Sequence, residues 1–84
     1  MKQFLVFITR TPDFTGESIP AHRQYPQELR DSQLLTLAGG FPDQTGGAYI
    51  LQCQSAEEAQ SLIAKDPMNQ PKEAIYQLKE WNAN

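Results

Sequence analysis

The segment that most constrains this chain is Phe4-Leu5-Val6-Phe7-Ile8. Residues 3–9 are rich in aromatic and β-branched side chains and read as a strand. Side chains alternate along a strand, so Phe4, Val6 and Ile8 project to one side and Leu5 and Phe7 to the other. Both sides are apolar, and a strand that is apolar on both faces has to be covered on both faces. The 84 residues make one domain, 1–84, of few layers. A chain of this size buries only about 60–65% of the surface its unfolded form exposes. What covers the second face of that strand is therefore the first question the sequence poses.

The remaining elements follow from local signals. Residues 10–18 carry Pro, Gly, Asp and Thr and form a loop. Ser18 and Pro20 suit the first turn of a helix, and His22, Tyr25 and Leu29 then fall at spacings of three and four on one helical face. Pro26 cannot donate to the His22 carbonyl, so a kink or a separate first turn is expected there. Residues 33–38 read as a second strand, Gly39 to Gly47 as a glycine-rich turn, and residues 48–53 as a third strand closing an antiparallel hairpin. Ser55-Ala56-Glu57-Glu58 fits a capping box with Ser55 as N-cap. Ala59, Leu62 and Ile63 supply that helix's apolar stripe, and Asp66-Pro67 ends it. Residues 73–80 alternate, with Ala74, Tyr76 and Leu78 on one side, as a last strand.

The order β-α-β-β-α-β predicts an α+β, ferredoxin-like protomer: a four-stranded antiparallel sheet with two helices on one face. Two helices leave the other face of the sheet bare. The economical cover is a second copy of the chain, giving a homodimer with the two sheets face to face.

Charge and cysteine narrow the function. The net charge is −3 with no Lys/Arg cluster, which argues against a nucleic-acid partner. No apolar run approaches the roughly 20 residues that span a bilayer, and Phe4–Ile8 is too short for a signal-peptide core. A cytoplasmic protein with no membrane partner is expected. The single cysteine, Cys53, excludes an internal disulfide and a four-cysteine zinc site. One histidine cannot anchor a multi-histidine metal centre, so neither metal nor cofactor is expected. Cys53 reads as a small buried hydrophobe, since a thiolate would need His22 as its base.

His22 is the group with chemistry. Its spacing points it inward, where an imidazole needs a partner, and a carboxylate would orient it. Asp31, nine helical steps on, lies on the opposite side and about 13 Å along the axis. Asp66 closes the second helix and comes within reach only if the helices pack antiparallel; otherwise it is simply a helix stop. Asp13 and Asp43 lie in loops. Arg10, leaving the first strand, could hold an anion, and Gly39-Gly40 could let a ligand approach the backbone beside Phe41.

Taken in order, Phe4-Leu5-Val6-Phe7, His22, Leu34-Leu35-Thr36-Leu37-Ala38-Gly39-Gly40-Phe41, Asp43, Gly46-Gly47, Tyr49-Ile50-Leu51, Ser55-Ala56-Glu57-Glu58-Ala59 and Asp66-Pro67 resemble the YciI-like (YCII-related) family of small bacterial proteins over essentially the whole chain. The resemblance implies a dimeric α+β barrel and a small-molecule site with a catalytic His-Asp pair. By position these are His22 and Asp66; the ligand contacts expected beside them, from the reading of the residues, are Arg10, Gly39, Gly40 and Phe41. It also implies lyase or isomerase chemistry, a dehydrochlorinase being one similar member. A non-catalytic ligand-binding or interaction module on the same fold is the alternative. The family's usual Gly-Pro-Phe is Gly39-Gly40-Phe41 here, and Met68 stands where an aromatic is expected.

Overall fold

Six elements in the order β-α-β-β-α-β make up the computed structural model, which describes residues 1–83: β1 (Lys2–Arg10), α1 (Ile19–Asp31), β2 (Leu35–Gly40), β3 (Gly46–Cys53), α2 (Ala56–Ala64) and β4 (Ala74–Glu80). They form one antiparallel sheet in the order β2-β3-β1-β4. The two-faced strand β1 lies at its centre. Phe4, Val6 and Ile8 face the helices and pack in a buried core with Tyr49, Leu51 and Cys53 of β3, Tyr25 and Leu29 of α1, and Ala59 and Ile63 of α2. The sequence-derived architecture of sheet and two helices is the observed one.

The opposite face is open. Leu5 pairs with Ile50, and Leu37 pairs with the same Ile50, so these side chains share that face with Phe7. Phe7 is 40% exposed, Leu37 64%, Ile75 57% and Trp81 45%. The placement of Leu37 depends on a β-bulge between Leu35 and Leu37. The extra residue leaves Leu35 against Leu51 in the core but turns Leu37, and with it Gly39 and Phe41, to the open side.

Besides the extension of β2 through Gly39 and Gly40, three features differ from the sequence reading, each for a local reason. The expected strand at 33–38 starts only at Leu35 because α1 ends in a Schellman motif. Gln33 takes a left-handed conformation (φ 63°), its N–H donates to the Arg30 carbonyl at 2.9 Å, and the Leu34 N–H donates to Leu29 at 2.8 Å. Gly46 and Gly47 belong to β3 rather than to the turn before it. A Cβ at Gly46 would lie 1.8 Å from the Ile8 carbonyl oxygen, and one at Gly47 2.5 Å from that of Gly39. Third, α1 runs through Pro26 as a single helix, with no separate first turn. The capping box of α2 forms, with the Ser55 hydroxyl accepting from Glu58 N–H at 3.2 Å, but the Glu58 carboxylate reaches back to the N–H of Gln54.

The loop between β1 and α1 is held by one buried carboxylate. Glu73, just before β4, accepts from the Thr15 N–H (2.7 Å), the Thr15 hydroxyl (2.9 Å) and the Ser18 hydroxyl (3.4 Å). The Thr15 backbone bond leads the set that holds the Glu73 carboxyl below the usual carboxylate range. A lowered folded-state pKa contributes stability above the unfolded value, and that contribution is lost as pH falls through the folded one. Glu73→Gln should therefore be less stable than wild type at neutral pH and should lose less stability on acidification below pH 4.5. Urea unfolding at several pH values measures both.

Candidate functional site

The site is built around Asp66, whose side chain is fully buried. The residue follows α2 and opens a turn. Its Oδ1 accepts from the N–H of Met68 at 3.0 Å, and its carbonyl accepts from Asn69 N–H at 2.9 Å. This local turn points the carboxylate inward between the two helices and the sheet. Helix α1 brings His22 to it: Nδ1 lies 2.7 Å from Asp66 Oδ1, and the imidazole remains 21% exposed. From β3, the Tyr49 hydroxyl donates to Oδ2 at 3.3 Å. From β4, the Tyr76 hydroxyl is buried beside the same carboxylate, with no partner in normal hydrogen-bonding geometry. Tyr25 donates to the Leu62 carbonyl and thereby ties α1 to α2.

The electrostatics are consistent along this chain of groups. Burial, and then the neighbouring Asp66 charge, push the Tyr49 and Tyr76 hydroxyls well above the ordinary tyrosine range. Both remain neutral hydroxyls. An ionised carboxylate only accepts hydrogen bonds. Toward such a carboxylate the donor is the imidazole nitrogen that faces it, Nδ1, and Nε2 is the ring nitrogen turned away from Asp66.

His22 stands in the wall of an open cavity of about 360 Å³. Its other walls include Arg10, Gly39, Gly40, Gly46 and Gly47 from the strand ends, and Arg23, Pro26 and Arg30 from α1. Arg10 is held in place by a 3.1 Å bond from Nη1 to the Gln44 carbonyl and by stacking over Phe14, 4.4 Å from the ring centroid. Four of the expected ligand or catalytic residues, Arg10, His22, Gly39 and Gly40, thus meet around one space, with Asp66 immediately behind His22. Phe41 does not join them. The bulge in β2 turns it to the open face, where its ring lies 5.4 Å from that of Phe7 and lines a separate apolar hollow with Leu37, Ile50 and Trp81. Cys53 is buried, and burial pushes its thiol up, away from thiolate chemistry.

Sequence reasoning missed Tyr49, Tyr76, Arg23 and Arg30. The tyrosines look like strand residues and the arginines like solvated helix residues. Only the i, i+4, i+7, i+11 spacing of Ile19, Arg23, Pro26 and Arg30 signals that both arginines share a helix face with the cavity.

The sheet order and this arrangement define an α+β protein with a ferredoxin-like topology. Within that class the chain belongs to the YCII-related domain family, which it matches over residues 3–82. It is 32% identical over 81 residues to an uncharacterised Bacillus subtilis protein, YjpA, covering 96% of this chain and 95% of that protein. Among solved structures it is similar to a 5-chloro-2-hydroxyhydroquinone dehydrochlorinase from Burkholderia phenoliruptrix in complex with 2,5-dihydroxybenzoquinone. The TM-score is 0.77 at 20% identity, covering 98% of this chain and 95% of that one. At that identity the likeness is one of fold.

Removing the central carboxylate should be costly. Asp66→Ala leaves His22, the Met68 N–H and the Tyr49 hydroxyl without their partner, at about 1–3 kcal/mol for each buried group left unsatisfied. Tyr49→Phe removes one donor from a carboxylate that keeps others and should cost about 1 kcal/mol. Denaturant unfolding should rank the two variants in that order.

Proposed function

We propose that the chain is a small-molecule-processing protein in which His22 moves a proton and Asp66 orients it. The observation that carries this reading is the 2.7 Å His22–Asp66 contact in the wall of an open 360 Å³ cavity. In the proposed step, Nε2 takes a proton from an activated C–H of the ligand. The buried carboxylate offsets the imidazolium charge that forms. Return of the proton to another atom of the ligand gives an isomerase; departure of an anionic leaving group gives a lyase. A dehydrochlorinase on the same fold supports this class, since loss of HCl needs a base. Arg10 and the Gly39-Gly40 backbone are the proposed ligand contacts.

The same reading includes a homodimer. The exposed Leu37, Ile75, Phe7 and Trp81 form the kind of apolar surface that a second sheet covers at a separation of about 10 Å.

Three measurements test these statements. Nitrogen-15 NMR should find His22 with Nδ1 protonated and Nε2 bare, and Asp66→Asn should mix the tautomers. A bare Nδ1 in the wild type would sink the base assignment. Deuterium exchange into 2,5-dihydroxybenzoquinone and other carbon acids, followed by proton NMR, should fall about 10²–10⁴-fold in His22→Ala; equal rates in both proteins would favour a non-catalytic binding module. Light scattering at micromolar concentration should give twice the 9.5 kDa chain mass, and Leu37→Lys with Ile75→Lys should give the monomer. A monomeric wild type would refute the dimer.

A further inference from the structure

The distribution of positive charge narrows the ligand class for this cavity. The chain carries three arginines, Arg10, Arg23 and Arg30, and four lysines within a net charge of −3. All three arginines line the His22 cavity, whereas no lysine and no carboxylate side chain does. Scattered surface charge does not sort in this way by residue type. None of the three guanidiniums forms an ion pair among the described residues, and Asp31, next to Arg30, is bonded to Gln27 instead. A basic residue in the last turn of a helix is favoured by the helix dipole, which accounts for Arg30 alone. It accounts for neither Arg23, in the middle of α1, nor Arg10, on a strand.

The arginines also reach the cavity from two elements, β1 and α1. Arg23 and Arg30 stand two turns apart on α1, about 10 Å along the axis, while Arg10 leaves the end of β1 beside the start of that helix. The rest of the lining combines the apolar side chains of Ile8, Ile19, Pro26 and Met68 with Tyr49, the His22 imidazole and the glycine backbone of the β2–β3 hairpin. Guanidinium is the side chain suited to bidentate recognition of carboxylates and similar oxyanions, and the cavity size falls at the lower end of the small-molecule range.

We propose that this cavity binds a two-ended dianion: a short apolar carbon skeleton with an oxyanion at each end, one held by Arg10 and the other by Arg23 and Arg30. The proposal builds on the small-molecule reading of the His22 site and adds the substrate class. Arg23 and Arg30 become specificity-determining residues that select the second negative group.

The test compares binding of terephthalate, benzoate and inorganic phosphate by calorimetry at fixed ionic strength. Terephthalate and benzoate share a ring and differ in the second carboxylate. Terephthalate should bind at least tenfold more tightly than either of the others. Arg30→Gln and Arg23→Gln should lower terephthalate binding toward the benzoate level and leave benzoate within about twofold, whereas Arg10→Gln should weaken both. Lys72→Gln, an equal charge change away from the cavity, should alter neither. Equal affinity for the two aromatic acids, tighter binding of phosphate, no detectable terephthalate binding, or an unchanged preference in both helix variants would overturn the proposal. The arginines of α1 are exposed, and circular dichroism and thermal melts confirm that the variants fold. His22→Ala separates the two readings. Its loss of exchange activity bears on the proton-transfer step, while its retained preference for terephthalate bears on the dianion site.

Discussion

An isolated carboxylate taken out of water costs several kcal/mol unless its charge is met by donors. Asp66 is such a group, and much of the architecture around it supplies those donors. Its partners come from four places: His22 of α1, Tyr49 of β3, the Met68 N–H of its own turn and, beside them, Tyr76 of β4. No two of these side chains come from the same element. The helices must pack antiparallel on one face of the sheet, with the end of α2 against the start of α1, before the charge is satisfied. The Tyr25 to Leu62 bond makes the same junction a few residues away. Stability and candidate chemistry therefore rest on one group, because the contact that compensates the buried charge also fixes the imidazole.

The sheet divides the molecule into two environments that meet at the β2–β3 hairpin. On the helix side, glycines permit close approach of the strands and leave room for the cavity. On the other side, the single-residue bulge in β2 turns Leu37 and Phe41 outward and extends the apolar surface beyond what strict alternation would place there. One extra residue thus separates Phe41 from the cavity while leaving Gly39 and Gly40 at its edge. The concentration of arginine around the cavity adds a third environment, positive within an acidic chain, which is the feature the proposed oxyanion ligand would meet.

Several elements were legible before any tertiary contact was known. The two-faced strand β1, the capped helix α2, the hairpin and the inward face of His22, Tyr25 and Leu29 all rest on periodicity or capping chemistry, which are local. The β-α-β-β-α-β order then limited the topology. Errors fell where backbone conformation overrides composition. Gln33 looks like the start of a strand but serves as the left-handed residue ending α1, a role more often filled by glycine. Gly46 and Gly47 look like turn residues but sit in β3, where neighbouring strands leave no space for a Cβ.

The sequence alone determined the elements, their order and the fact that one sheet face would lack cover, because side-chain alternation and helix spacing are properties of the chain itself. It narrowed the acidic partner of His22 but could not choose it by spacing, since residues 22 and 66 are separated by three other elements. Only the packing of two helices on one sheet brings Nδ1 to 2.7 Å from the carboxylate and sets Arg10 of β1 around one space with Arg23 and Arg30 of α1. Those contacts are long-range, and long-range proximity is set by how surfaces fit together, which no local pattern records.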